Sequence, residues 1–374
     1  MRCVIFVNSL FGLISAIQIR EGIYQDCVFD IIVSDIDPKL KSVYDNRVLE
    51  EKFSNVIFVS HKNQKKIDKL VFFLSPELYI KRILGNNIKF YTDVFFWNPT
   101  LLLHGYLIYL NRNHQHYNLH LYGDAIGSYV TECPFDNNPF NNRLLNILLK
   151  FVNGFCNVEE MIYDYYVFAS KYISFSPKHR IIEIPSVKKD MTEYYNRLFN
   201  YDERIHICQR IIFMDKQHDD MFDEFDYGLS IINELIRSWK NESVIVKPHP
   251  RQDLQIYTKN NIRTLRLDTP WELYCLNNDI SDKVIISYGS SALYLPYIFN
   301  CKQKYIAINI KADSRFERIY SKEYNAFIDK FKYNNSNFYE VDDIAQLIGI
   351  LNRIFDEQRG YLNKHGQKNY NASK

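Results

Sequence analysis

The chain is 374 residues long, more than one hydrophobic core usually serves, so two domains of ordinary size are expected. Apolar residues make up 47% of it, which excludes a disordered chain. With 46 basic and 44 acidic residues the net charge is +2, and no global field points to nucleic acid or to an anionic membrane.

Seven cysteines without a C-x-x-C pair speak against a disulfide framework and against a zinc site. They are expected to be mostly buried thiols in a reducing cytoplasm. The 16% aromatic content is more simply a genome bias than an aromatic-lined binding surface.

In chain order, the first apolar run, Met1 to Val7, is short and reads on into polar residues, so no signal peptide is expected. Runs of strand character come next at Ile31–Val33, Val56–Val59 and Leu119–Tyr122, with helical spacing over Pro38–Phe53 and Asn63–Leu74 between them. Asp35-Ile36-Asp37 has the form of a metal-binding acidic pair, but Pro38 comes at once and a helix begins, so helix capping is the expected role. The most apolar stretch, Val94 to Leu110, contains Asn98, Pro99 and His104 and falls short of a membrane span. The polar stretch Lys188–Glu203 is the expected linker, which gives domains over residues 1–200 and 201–374.

The same rhythm restarts in the second half. Strands are expected at Ile205–Met214, Ser243–Val246, Thr264–Leu267, Val284–Ile286 and Tyr305–Ile308, and helices at Asp226–Trp239, Trp271–Leu276, Ala292–Phe299 and Asp343–Phe355. The last helix is a candidate to pack back on the first domain. Alternation of this kind implies an α/β fold of two parallel-sheet domains, with ligands beyond the carboxyl ends of the strands.

Five segments leave such strand ends with polar residues. In Val246-Lys247-Pro248-His249-Pro250-Arg251, two prolines fix the backbone around a histidine set between cations, which suits a phosphate or a carboxylate. In Ser287-Tyr288-Gly289-Ser290-Ser291, Gly289 allows a tight turn, and the serines with the helix start offer donors to an anion. Asp124, in Tyr122-Gly123-Asp124, is a carboxylate exposed by a turn and able to take a proton from a hydroxyl. Asp215, after Ile211–Met214, competes for that role, whereas Asp219 and Asp220 read as solvated loop charges. Glu272, in Asp268-Thr269-Pro270-Trp271-Glu272, favours the helix dipole and could also accept from a ribose. No G-x-G-x-x-G, P-loop or H-E-x-x-H motif is present.

Together these segments resemble the two-domain bacterial sialyltransferases of the GT-B type, the lipooligosaccharide sialyltransferases (glycosyltransferase family 52) and their polysialyltransferase relatives. Gly123-Asp124-Ala125 stands where that family prefers two acids and a glycine, and Lys247–Arg251 and Ser287–Ser291 match its H-P motif and its serine-rich loop.

The resemblance implies a GT-B fold, two Rossmann-like domains facing a central cleft, and inverting, metal-independent transfer of sialic acid from CMP-sialic acid to a hydroxyl of a bacterial surface glycan. Under it His249 is the acid, Asp215 or Asp124 the base, and Lys247, Pro248, Arg251, Glu272, Gly289, Ser290 and Ser291 hold the donor. It calls for no cofactor, metal or nucleic acid. It is compatible with a homodimer and with a place in the cytoplasm or on the cytoplasmic face of the inner membrane. The alternatives are transfer from another nucleotide sugar and non-catalytic binding of a nucleotide or glycan.

Overall fold

Two wholly parallel sheets carry the fold. The computed structural model describes residues 1–60, 68, 71–72, 74–132, 158–216, 222–239, 243–249, 252–299, 305–311 and 322–356. The chain divides into two compact units. The first takes Met1–Glu203 with two later segments, Thr269–Asn277 and Tyr297–Cys301. The second takes Arg204–Asp268, Asn278–Pro296 and Lys302–Lys374.

The first unit is built on β1 (Arg2–Val7), β2 (Val28–Ser34), β3 (Asn55–Val59), β4 (Asp93–Phe96), β5 (Asn118–Tyr122), β6 (Ile162–Val167) and β7 (Arg180–Glu183). Their order across the sheet is β3-β2-β1-β4-β5-β6-β7, so the chain winds outward from β1 in one direction and then in the other. Five of the six residues of β1 are buried, as in a strand covered on both faces. Ser9 then caps the helix Leu10–Gly22, its Oγ accepting the Gly12 N–H at 2.9 Å.

The tyrosine-rich composition is accommodated by tying buried hydroxyls to backbone carbonyls. Tyr122 donates to Phe6 O (2.7 Å), Tyr106 to Lys89 O (2.6 Å), Tyr129 to Phe168 O (2.8 Å) and Tyr165 to Ser128 O (2.6 Å).

The stretch expected as a linker carries the helix Thr192–Phe199, which buries Tyr194, Tyr195, Leu198 and Phe199 in this unit. Asp37 accepts the Lys39 N–H at 3.0 Å, the capping contact expected of it, and Asp35 accepts from the Ser60 hydroxyl at 2.7 Å. The helix expected over 38–53 stops at Asp45 and gives way to a separate turn, Val48–Glu51.

The second unit is built on β8 (Ile211–Met214), β9 (Val244–Lys247), β10 (Val284–Ser287), β11 (Ile306–Ile310) and β12 (Phe338–Val341), in the order β12-β11-β10-β8-β9. Lys247, Met214, Ser287, Asn309 and Glu340 are level across this sheet. The order reverses between β8 and β10, the position where open α/β sheets bind ligands.

Three expected elements are shorter than the sequence suggests. Residues 205–210 are not strand, because β9 and β10 begin level with Ile211 and offer no earlier partner. The run 264–267 reduces to a single bridge, Thr264 with Val246. The helix expected over 292–299 is a 3-10 turn, Ser291–Leu293, and then a five-residue helix, Leu295–Phe299. Pro296 explains the break, since it has no N–H to give Ala292 and its ring would meet that carbonyl.

The helix over 344–356 packs on its own sheet. Leu347, Leu351 and Ile354 join Ile211, Val244 and Ile286 in the core of the second unit.

Candidate functional site

Asp124 stands two residues beyond the end of β5 and, instead of being exposed by its turn as expected, is buried, 6% exposed, where the turn packs on the helix after β1. Its loop is latched to the helix after β1. The Ser9 hydroxyl donates to Asp124 Oδ1, and the Ser15 hydroxyl donates to Gly123 O at 3.1 Å. A Cβ at position 12 would lie 2.8 Å from Ser9 Oγ and 2.9 Å from Asp124 Oδ1, so only glycine lets the helix approach this closely.

The Asp124 carboxyl is pushed up to about 6, chiefly by burial. The Ser9 hydroxyl and the Gly12 N–H pull it down, and the negative charges of Asp37 and Glu272 push it up again. A buried carboxyl titrating near neutrality is the chemistry of a general base. Glu272, read in the sequence as part of the second domain, belongs to the first unit, where its charge acts on Asp124. Beside it, Thr269 Oγ1 and Trp271 Nε1 are buried and make no hydrogen bond among the described residues.

In the second unit the carboxyl edge of the five-stranded sheet gathers the other candidates. Pro248 is buried and His249 half-buried just beyond β9, and Lys247 ends that strand. Arg251, Asp219 and Asp220 lie outside the described residues.

Beyond β10, Gly289 adopts φ 91°, the left-handed turn that glycine permits. The fully buried Ser287 fixes this turn: its hydroxyl donates to Met214 O at 2.8 Å and accepts the Ser290 N–H at 3.1 Å. The Ser290 hydroxyl in turn accepts from the Ala292 N–H at 3.4 Å. Among the described residues the Ser291 hydroxyl and the N–H groups of Gly289 and Ser291 make no hydrogen bond, so they remain as donors for an anion.

The helix beyond this turn is too short to add a useful dipole, so such a site rests on these donors and on Lys216, whose Nζ lies 5.5 Å from the centre of the Tyr288 ring, rather than on a helix start. Asn309, level with Ser287, is fully buried, and among the described residues neither its carboxamide oxygen nor its nitrogen is bonded.

Asp215 comes after β8 at the same edge but in different company. Tyr288 donates to its Oδ1 at 3.0 Å, as does the Lys216 N–H at 2.9 Å, and Tyr257 donates to Oδ2. The Tyr288 ring leans on the backbone of Gly228, where an added Cβ would lie 2.5 Å from its hydroxyl. Nothing in the sequence singles out Gly12, Tyr257, Gly228 or Asn309. Ser9 is legible there only as a polar residue before a helical run.

The profile of the alpha-2,8-polysialyltransferase (POLYST) family matches residues 3–307, which include Ser9, Asp124, His249, Glu272 and the Gly289–Ser291 turn. The chain belongs to the alpha-2,8-polysialyltransferase family. It is a glycosyltransferase.

No curated protein matches this family member in sequence. Its structure is similar to the UDP-GlcNAc 2-epimerase of Methanocaldococcus jannaschii (11% identity, 94% of this chain and 92% of the other, TM-score 0.53). It is also similar to a putative UDP-N-acetylglucosamine 2-epimerase from Listeria monocytogenes (10% identity, 96% and 89%, TM-score 0.53). The UDP-GlcNAc 2-epimerase of Neisseria meningitidis, solved with UDP-GlcNAc, gives 10% identity over 96% and 93% at a TM-score of 0.50. At these identities the likeness shows a shared fold, two parallel-sheet α/β domains of the GT-B kind. Among the described residues of this polysialyltransferase-family chain, no helix is long and apolar enough to cross a membrane.

Proposed function

We propose that the protein transfers sialic acid from CMP-sialic acid to a sugar hydroxyl of a surface glycan, with inversion and without a metal. The family supplies the sialyl class. The observation that carries the mechanism is the buried Asp124 carboxyl, held at about 6 by its surroundings.

Asp124 takes the proton of the acceptor hydroxyl as that oxygen attacks the anomeric carbon of the donor, and attack from the face opposite the leaving group inverts the centre. The bond from that carbon to the CMP phosphate oxygen breaks, and CMP leaves with the electron pair. His249 gives its proton to the departing phosphate. Lys247, Arg251, Ser290, Ser291 and the turn at Gly289 hold the phosphate. Pro248 fixes the histidine backbone. Glu272 serves as an acceptor for the ribose or base of the nucleotide. A monophosphate leaving group carries less charge than a diphosphate, so these donors suffice, and no cofactor is required. The family's name adds the 8-hydroxyl of a terminal sialic acid as the first acceptor to try. The setting proposed for this reaction is the cytoplasm or the cytoplasmic face of the inner membrane.

The experiment is a donor screen with CMP-sialic acid against UDP- and GDP-hexoses, in the presence of EDTA. Transfer from CMP-sialic acid alone, undiminished by EDTA, is expected. His249→Ala should lower that rate by on the order of 10² or more. Transfer only from a diphosphate donor, or no rise in melting temperature with CMP, would sink the reading.

A further inference from the structure

The helix Pro76–Leu84 of the first unit has two unlike faces. One is packed. Tyr79, Ile80 and Leu84 are buried, and Gly105 lets Tyr79 and Ile80 close on the helix Leu101–Arg112, since a Cβ at position 105 would lie 3.1 Å from each of them. The other face is open to solvent and apolar. Leu78 is 59% exposed, and Leu74, just ahead of the Ser75 cap, is 77% exposed. A hydrophobic residue ahead of a helix cap often packs on the fourth residue of the helix, here Tyr79, and so fixes the entry of the chain. At its exposure Leu74 makes little of that contact.

Cations accompany these leucines. Lys81 and Arg82, both exposed, come three and four residues after Leu78 and so share its face. Arg82 pairs with Asp68 at 3.0 Å, whereas Lys81 has no ion pair among the described residues. Glu77, half-buried, is the one acid of the helix. In sequence, residues 62–82 hold six cations and two acids, a net charge of +4 in a chain of +2 overall, so the remainder stands at −2.

The end of the helix that carries the leucines is the catalytic end of its unit. β4 ends at Phe96, and after four residues the helix Leu101–Arg112 begins, at the carboxyl edge of the sheet, and runs back towards the amino edge. Gly105, one turn into it, meets Ile80, while further along Tyr106 donates to Lys89 O and Tyr109 stacks on Phe90. The helix Pro76–Leu84 therefore runs the same way. Leu74 and Leu78 stand at the carboxyl edge, where β5 delivers Asp124.

We propose that this face docks on an anionic lipid surface, Leu74 and Leu78 entering the outer acyl layer and Lys81 and Arg82 meeting lipid phosphates. Exposed leucines flanked by cations on a short helix suit a place in the headgroup layer, lying on the membrane without crossing it. Docking turns the carboxyl edge of the first sheet to the membrane, so that Asp124 serves glycans carried by a lipid in the same surface. That use rests on Asp124 being the base, but the docking does not.

The test is sedimentation of the full chain with vesicles of phosphatidylcholine, alone or mixed with phosphatidylglycerol. The wild type should sediment with the mixed vesicles and stay in solution with phosphatidylcholine alone. L74S/L78S should bind the mixed vesicles at least about tenfold more weakly, since two leucines no longer leave water. K81E should bind about fivefold more weakly, a loss that fades at high salt. These positions are exposed, so melting temperatures should not change. Failure of the wild type to bind mixed vesicles, equal binding to both kinds, or binding that neither variant weakens overturns the proposal. Sedimentation velocity without lipid checks the rival occupant: self-association that L74S/L78S abolishes gives the face to a second copy of the chain and overturns it as well. Vesicle binding is read without donor or acceptor, so its failure and the failure of the sialyl reading are told apart.

Discussion

Replacing Asp124 by asparagine should make the protein more stable and nearly inactive at once. The carboxyl titrates at about 6 instead of 3.8. At about 1.4 kcal/mol per pH unit, holding it ionised in the folded protein at neutral pH costs on the order of 3 kcal/mol. The sign is set by proton uptake. The folded carboxyl binds its proton at a higher pH than the unfolded one, so the cost is complete above about 6, shrinks as pH falls, and is gone below 3.8.

D124N keeps an oxygen for Ser9 and removes the charge. It should therefore raise resistance to denaturant at pH 7.5, by up to that amount, and give no advantage near pH 4. Transfer should fall by roughly 10²–10⁴ for loss of the base. The pH profile of kcat/KM adds a directional check. Its acid limb, near 6 in the wild type, should move up in S9A, which loses a donor to the ionised form, and down in E272Q, which loses a repelling charge. Limbs that move the same way in both variants, or a D124N protein that is less stable at pH 7.5, would refute the reasoning.

Two further substitutions probe the second unit. Gly228→Ala places a Cβ 2.5 Å from the Tyr288 hydroxyl and must push that ring off Asp215, at a cost of about 2–4 kcal/mol read from urea melts. Asn309→Leu removes a buried carboxamide that has no partner among the described residues and should stabilise the apoprotein by about 1 kcal/mol. If that carboxamide serves the nucleotide, the same variant should show a smaller rise in melting temperature with CMP than the wild type.

The strand ends were legible because short β-branched runs broken by Gly, Pro or Asp read alike in sequence and in structure. β8 to Asp215, β9 to His249 and β10 to Ser290 are of this kind. The segments after the strands were harder to read. The run from Ala292 to Phe299 looks helical by its apolar spacing, yet Pro296 divides it, and the anion reading loses its helix dipole as a result. Contacts between residues distant in the chain were not legible at all. Nothing local marks Ser9 as the partner of Asp124, 115 positions away, or Tyr257 as a donor to Asp215. Glu272 belongs to the first unit although the residues on both sides of its segment belong to the second, and no composition shift announces that return.

In sequence Asp124 and Asp215 are the same object, an acid at the end of an apolar strand, and only their neighbours separate them. Asp124 is met by the Ser9 hydroxyl and the Gly12 N–H, from the one helix after β1, and is held near neutrality by burial and by two acidic neighbours. Asp215 has both oxygens occupied, by two tyrosine hydroxyls and a backbone N–H, which fasten the end of β8 to the helix Gln255–Lys259 and to the turn after β10. To take a proton from a substrate it would first have to give up one of these donors, whereas Asp124 is already at the pH of use. Asp215→Asn should therefore weaken the fold, by about 1.5–3 kcal/mol for hydrogen bonds to a charge, while kcat per folded molecule stays within about threefold of the wild type. A D215N protein that melts like the wild type but has lost transfer by on the order of 10² would move the base from the first unit to the second.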